Sequence, residues 1–167
     1  RLGRAGRGGV LLARGPQLVD RHVVGAEQRV HFRERLLFMP ECLFPVSPLG
    51  ALSASSEPPL TRKEADLPYD APVLASFNAP YKLDPATFEA WTEILRRVPE
   101  SVLWLYDGGE PRLSANLRRE AELQGLDPSR LHFASKIPYP RHLQRYRLAD
   151  LFLDCFLYNG GATAVDA

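Results

Sequence analysis

The second half of this 167-residue chain predicts an α/β fold, with a Rossmann-like parallel sheet and flanking helices. Two observations predict this class. Short runs of consecutive apolar residues, which are typical of strands buried on both faces, alternate with segments whose apolar residues recur at helical spacing. Four strand-and-helix repeats follow one another, and crossovers of this length join parallel strands.

Each element of this half has its own signal. The predicted strands are residues 73–77, 102–106, 131–134 and 151–153. The predicted helices begin at Pro85 and Pro111, and a shorter one covers residues 141–147. Asp84 is a typical N-cap before a proline in the first turn, and Gly125 is a typical C-terminal stop. Because residues 151–153 are all apolar, we predict a central strand that helices cover on both faces.

The first half has weaker signals. Residues 18–20 and 22–24 indicate a short strand, and residues 26–35 could form a helix with Val30 facing inward. Residues 36–39 are typical of another short buried strand. Cys42 and Cys155 lie in apolar surroundings, so we expect each to be a small buried hydrophobe rather than a disulfide partner or nucleophile.

Composition separates the chain into segments and excludes several partners. Residues 1–17 form a basic, glycine-rich end that we expect to be disordered, and residues 48–70 are rich in Ser and Pro and predict a linker. The formal net charge of +1 gives no electrostatic reason to expect nucleic acid or an anionic membrane as a partner. Neither a membrane span nor a secretory signal is recognisable, so we expect a cytoplasmic protein.

Other common chemistries lack their motifs. The sequence has no Gly-x-Gly-x-x-Gly after a strand, no Gly-Lys-Ser/Thr loop and no Gly-x-Ser-x-Gly elbow. The four histidines and two cysteines show no metal-ligand spacing, so we predict no metal site. Since the chain starts with Arg1 and stops at Ala167, one turn into a predicted helix, we expect a fragment of a longer protein.

The candidate ligand site follows the last predicted strand. In a parallel sheet, ligands bind at the carboxyl ends of the strands, here residues 78–82, 107–109, 136–142 and 159–166. Gly160 and Gly161 form a turn before a helix start, where unpaired backbone N–H groups can bind phosphate. Lys82 is the one cation close behind the first strand of this half and could reach that phosphate. An ordinary loop with a surface lysine remains the alternative interpretation.

Beyond this pattern, about 100 residues resemble a known family in order and spacing. The matching residues are Ser76-Phe77-Asn78, Tyr81-Lys82, Trp91, Ile94 with Leu95-Arg96-Arg97-Val98-Pro99, Ser101-Val102-Leu103-Trp104-Leu105, Asn116-Leu117-Arg118-Arg119-Glu120, Arg130-Leu131, Pro138, His142, Arg147-Leu148-Ala149-Asp150 and Leu153-Asp154. They resemble the C-terminal catalytic lobe of O-linked N-acetylglucosamine transferase and its bacterial relatives. A weaker similarity makes residues 18–47 the end of the preceding catalytic region, and residues 71–167 an incomplete nucleotide-sugar-binding lobe.

The resemblance implies a GT-B architecture and a function. It implies UDP-N-acetylglucosamine (UDP-GlcNAc) as donor substrate, Ser or Thr hydroxyls of proteins as acceptors, inversion at the anomeric carbon, and no cofactor or metal. It also implies that an N-terminal lobe and probable helical repeats of the tetratricopeptide kind are missing from this chain, which we therefore expect to be inactive by itself.

The resemblance also assigns the site residues. Lys82 matches the lysine that contacts the donor diphosphate and stabilises the leaving UDP, and is the predicted catalytic residue. His142 matches the histidine that packs on uracil, Asp166 the aspartate near the ribose, and Thr163 the second threonine of the family's His-Thr-Thr turn. The predicted donor-binding residues are Asn78, Lys82, His142, Gly160, Gly161, Ala162, Thr163 and Asp166.

Three positions depart from the family pattern. Gly161 replaces histidine, Ala162 replaces the first threonine, and Ala79 stands where human-type enzymes have glutamine. Each lost side-chain donor removes about 1–3 kcal/mol of charge-assisted hydrogen bonding. These changes favour the alternative function, a non-catalytic Rossmann-like module that binds nucleotide weakly or serves as a protein scaffold. A flavodoxin-like signalling domain fits less well because no acidic cluster stands at the strand ends.

Overall fold

The computed structural model describes residues 15–43 and 58–167. The chain divides into two compact units, residues 1–45 and 46–167. Of the disordered end predicted for residues 1–17, residues 1–14 lie outside the described residues. Of the linker predicted for residues 48–70, residues 48–57 lie outside them.

The first unit has a two-stranded parallel sheet of β1 (Gln17–Val19) and β2 (Leu36–Phe38), with the 3-10 turn Glu27–His31 between them. The predicted helix with Val30 inward is wrong, since Val30 is 81% exposed. The segment offers too few apolar residues at helical spacing to offset the cost of helix nucleation.

Burial in this unit is also lower than predicted. Phe38 in β2 is 38% exposed and Cys42 is exposed, so the predictions of a buried strand and a buried Cys42 are wrong. Two strands cannot cover both of their own faces. After β1, the buried Asp20 accepts hydrogen bonds from the backbone N–H groups of His22 and Val23, both at 2.8 Å, which turns the chain where a continuing strand was predicted.

The second unit has the predicted parallel sheet with flanking helices. Its strands are β3 (Val73–Ser76), β4 (Val102–Tyr106), β5 (Leu131–Ala134) and β6 (Leu151–Phe152). Its helices are α1 (Pro85–Arg97), α2 (Pro111–Leu123), α3 (Tyr139–Tyr146) and α4 (Ala162–Asp166). The strand order is β5-β4-β3-β6, and every pairing is parallel.

Local chemistry explains the helix ends. The Asp84 carboxylate accepts a hydrogen bond from the N–H of Thr87 at 3.1 Å, and Pro85 occupies the first turn of α1. Gly125, with φ of +75°, follows α2 in a conformation that favours glycine. Helix α3 begins two residues earlier than predicted because a proline, here Pro140, is tolerated in the first turn.

The sheet is buried on both faces over β3 and β4. One face packs against α1 and α2 through a cluster that includes Leu95, Leu103 and Cys155, so the prediction that Cys155 is buried is confirmed. The other face, around Trp104, packs against residues of α3 and against Leu67.

The position of β6 differs from the prediction. It pairs only with β3 among the described strands and covers two residues, and Leu151 is 54% exposed. The prediction of a central strand covered on both faces is therefore wrong, although the run is apolar. The apolar pattern shows that a segment can be buried, but not which neighbours the fold provides.

Candidate functional site

The strand order places a crevice at the carboxyl ends of β3 and β6. The chain leaves β3 towards β4 and β5 on one side and returns to β6 on the other, which is the arrangement that opens a ligand crevice in α/β sheets. Asn78 follows β3 and Asp154 follows β6. The Asn78 side-chain amide donates to the Asp154 carboxylate at 2.7 Å, so the two strand ends are joined directly.

Asp154 organises the turn that follows β6. Its carboxylate also accepts from the backbone N–H groups of Gly160 at 2.7 Å and Cys155 at 2.8 Å, and from the Asn159 amide at 3.3 Å. Burial by itself raises the pKa of Asp154, but these hydrogen bonds outweigh it and hold the pKa below its ordinary value of 3.8. The carboxylate is therefore ionised at neutral pH and fixes the glycine turn.

Gly160 is required by close approach. A Cβ atom at this position would lie 2.9 Å from Asn78 Oδ1 and 3.0 Å from Thr163 Oγ1. The Thr163 hydroxyl donates to Asn78 Oδ1 at 2.7 Å, so the turn and the start of α4 rest on the buried Asn78. No hydrogen bond between described residues uses the backbone N–H of Gly161, Ala162 or Thr163, so these donors remain for a ligand.

Lys82 reaches the same turn from β3. It ends the 3-10 turn Pro80–Lys82, and its ammonium group donates to the backbone carbonyl of Asn159 at 2.9 Å. The ammonium also lies 4.3 Å from the centre of the Tyr158 ring, a cation–π contact. The side chain is thus held beside the glycine turn.

His142 lies in an aromatic cluster on α3. Its ring centre is 5.3 Å from that of Phe77 and 5.4 Å from that of Tyr146. Burial is the main cause that lowers the pKa of His142 below 6.5; the charge of Arg145 lowers it further, and Asp166 opposes both. The imidazole is therefore neutral at neutral pH and offers a flat face.

A cavity of about 360 Å³ opens beside His142. Its lining includes Phe77, Tyr106, Ile137, Tyr139, His142 and Arg145. The size and the aromatic walls suit a planar heterocycle. Arg145 is buried, and its Nη1 atom has no hydrogen-bond partner among the described residues, so this wall holds an unused donor.

Two tyrosines of α3 connect this cavity to the glycine turn. The Tyr146 hydroxyl donates to the backbone carbonyl of Thr163 at 3.2 Å, and the Tyr139 hydroxyl donates to Asp166 Oδ1 at 2.8 Å. Asp166 therefore lies at the end of α4 that faces the N-terminus of α3.

The structure brings the predicted site residues together, though they play unequal parts. Lys82 and Thr163 lie beside the glycine turn, Asp166 lies at the other end of α4 against Tyr139, and His142 contacts Tyr146, which donates to the Thr163 carbonyl. The side-chain amide of the buried Asn78 donates to Asp154 and accepts from Thr163. The Gly160 N–H donates to Asp154. Ala162 is exposed and contributes only backbone.

Several site residues escaped the sequence-based reasoning: Asp154, Tyr139, Arg145, Tyr146 and Tyr158. One signal was available, because Tyr139, His142 and Tyr146 are spaced i, i+3 and i+7 and so share a helix face. The contacts of Asp154 and Tyr158 carry no comparable pattern in the sequence.

The described residues contain no group of three or more His, Cys, Asp or Glu side chains placed to hold a metal ion. Among the helices in residues 15–43 and 58–167, none combines the length and the apolar character needed to cross a membrane.

Comparisons with known proteins all find relatives of the same kind. Residues 53–167 match the model of glycosyl transferase family 41. A UDP-N-acetylglucosamine–peptide N-acetylglucosaminyltransferase from Caenorhabditis elegans is 41% identical over 110 residues, which are 64% of this chain and 9% of that protein. A probable enzyme of the same name, SEC, from Arabidopsis thaliana is 35% identical over 157 residues, which are 89% of this chain and 16% of that protein.

A solved structure agrees with these sequence matches. A mutant of the O-GlcNAc transferase from Thermobaculum terrenum superimposes with a TM-score of 0.74 at 25% identity. The match covers 93% of this chain and 28% of that one. The chain thus spans 9%, 16% and 28% of the lengths of these three proteins.

Proposed function

Because the chain belongs to glycosyl transferase family 41, we propose that it is the donor-binding lobe of an enzyme that transfers N-acetylglucosamine from UDP-GlcNAc to Ser or Thr hydroxyls of proteins. The observation that carries this proposal is that Lys82 lies against the glycine turn, while Tyr139 lines the cavity beside His142 and donates to Asp166 of α4. A cation, free backbone donors and a flat aromatic pocket match a diphosphate joined to a nucleoside.

The diphosphate part of the site stabilises the leaving group. The acceptor hydroxyl oxygen attacks the anomeric carbon from the face opposite the diphosphate and passes its proton to water or to a base of the longer protein, while the bond to the diphosphate breaks with its electrons on UDP. Negative charge then grows on the diphosphate oxygen that leaves the sugar. In this proposal, Lys82 and the N–H groups of residues 161–163 face that oxygen and stabilise the charge. Because these donors are already in place, the charge is stabilised without a metal ion and with little reorganisation.

The nucleoside part of the site fixes the donor. We assign uracil to the cavity of about 360 Å³, with one face on the neutral imidazole of His142. The unused Arg145 Nη1 donor suits a carbonyl oxygen of the base. The ribose then lies towards α4, where the Asp166 carboxylate accepts a hydroxyl hydrogen.

The residues that depart from the family pattern lower the affinity that we expect for the donor. Gly161 and Ala162 leave only backbone donors where the family has His and Thr side chains, so we expect weaker donor binding than the family pattern provides. They also support the second candidate function, a non-catalytic module that binds nucleotide. The two candidates share the UDP site and differ in turnover by the longer protein.

Calorimetric titration with UDP tests the proposal. We expect the chain to bind UDP, to bind ADP more weakly, and to lose about 10- to 100-fold in UDP affinity on Lys82→Gln. Lys63→Gln, at an exposed lysine, is the matched control and should leave the affinity unchanged. A folded chain that binds no UDP would overturn the enzyme and the nucleotide-binding module alike, and would leave the protein scaffold that the second candidate also allows. UDP binding without sugar transfer to a peptide by the longer protein would favour the non-catalytic module.

A further inference from the structure

Helix α4 is joined to helix α3 by tyrosine hydroxyls. Its hydrogen bonds to other elements come from Tyr139 and Tyr146 of α3 and from Asn78. The position of Asp166 at the end of α4 therefore depends on α3.

Tyr139 is placed to control the Asp166 carboxylate. It is the first residue of α3, lies between Pro138 and Pro140, and lines the cavity beside His142. The two prolines restrict the backbone on both sides of it. The ring is 49% exposed, so the hydroxyl lies at the mouth of the cavity rather than in the core.

The hydrogen bond uses one of two carboxylate oxygens. Asp166 Oδ1 accepts from the Tyr139 hydroxyl at 2.8 Å, and no hydrogen bond to Oδ2 is made by the described residues. The bond to Asp166 raises the pKa of the Tyr139 phenol, so the hydroxyl keeps its proton and stays a donor at neutral pH. One oxygen is thus anchored while the other can accept from a ligand.

We propose that Tyr139 is a positioning residue for ribose recognition, whose hydroxyl anchors one oxygen of Asp166 so that the other accepts a hydrogen bond from a ribose hydroxyl of bound UDP. This inference rests on the proposed function and adds a residue to it. An aspartate side chain without a hydrogen-bond partner samples several rotamers, and fixing it before binding removes that entropy cost. The anchor therefore acts on the sugar part of the nucleotide only.

The test compares two nucleotides on Tyr139→Phe, which keeps the ring and removes the hydroxyl. Calorimetry with UDP and with 2′,3′-dideoxyuridine diphosphate measures the contribution of the ribose hydroxyls. We expect Tyr139→Phe to weaken UDP binding about 3- to 10-fold and to leave dideoxy binding unchanged. Tyr69→Phe, at a tyrosine that is 85% exposed, is the matched control.

Asp166→Asn completes the comparison. If Tyr139 acts through Asp166, adding Tyr139→Phe to Asp166→Asn should cost little further UDP affinity. Equal losses for both nucleotides on Tyr139→Phe would show a merely structural role and overturn the inference, as would no loss for either. In both cases UDP binding by the unchanged chain would leave the proposed function standing. A chain that binds no UDP at all would end both.

Discussion

Two regions of the second unit, the strands in the middle of its sheet and the segment that contains β6, are stabilised by different interactions. Over β3 and β4 most side chains are apolar and buried, and Leu103 of β4 packs with Leu95 of α1, both fully buried. In the segment from residue 150 to 167, which we call the β6 segment, Leu151 and Leu157 are 54% and 83% exposed, and hydrogen bonds around Asp154 fix the backbone. Apolar burial therefore stabilises the first region, whereas polar contacts position the second, which supplies the glycine turn and Asp166 to the proposed donor site.

The largest expected effect comes from making the same substitution in both regions. Leu103→Ala should lower the free energy of unfolding by about 2–5 kcal/mol, because it leaves a cavity in a closed core. Leu151→Ala in the β6 segment should cost less than about 1 kcal/mol. Urea unfolding followed by tryptophan fluorescence measures both, since Trp91 and Trp104 lie in this core. Similar losses would erase the contrast between the two regions.

A middle effect is expected from Asp154. Asp154→Asn should destabilise the chain by about 1–3 kcal/mol at neutral pH, because an amide cannot accept from all four donors. The folded-state pKa lies below that of the unfolded chain, so the stabilisation is present at neutral pH and is lost as the pH falls through the folded-state pKa.

Unfolding measured across pH checks this linkage. The difference between the original chain and Asp154→Asn should shrink once the pH drops below 3.8. Asp70→Asn, at an exposed aspartate, is the control and should show no such trend. A difference that stays constant with pH would mean that the ionised carboxylate does not hold the turn.

The smallest effect is expected at Tyr158. Its ring contacts the Lys82 ammonium, so Tyr158→Leu should weaken UDP binding about two- to fivefold, while Tyr158→Phe, which keeps the ring, should bind normally. Unfolding should be nearly unchanged in both variants because Tyr158 is 56% exposed. Equal UDP affinity in Tyr158→Leu would show that the ring does not help to place Lys82.

The fold of the core was readable from the sequence. The bounds of β4 and β5 match their apolar runs, and α1 and α2 begin at the predicted prolines, because strands buried on both faces and helices with N-caps carry their own signals. The exposure of β6 and of the first unit could not be predicted from the sequence. Leu151 and Phe38 belong to apolar runs, yet their exposure depends on which elements lie beside them.

The candidate site was readable only in outline. Strand ends and a glycine turn pointed to residues 78–82, 107–109, 136–142 and 159–166, with Lys82 as the nearby cation, and the family resemblance gave Lys82, His142 and Asp166 their roles. The hydrogen-bonded side-chain pairs that position these residues could not be predicted from the sequence. Tyr139 and Asp166 are 27 residues apart, and Asn78 and Asp154 are 76 apart, and side-chain pairing over such separations follows from the folded chain and not from a local pattern.

The central claim is that UDP binds at the carboxyl ends of β3 and β6. Nuclear magnetic resonance of the ¹⁵N-labelled chain during a UDP titration tests it most directly. We expect saturable shifts for the amides of residues 160–166, of Lys82 and of His142, with those of α2 unchanged. Saturable shifts confined to α2, or the absence of any shift in a folded chain at high UDP concentration, would contradict it.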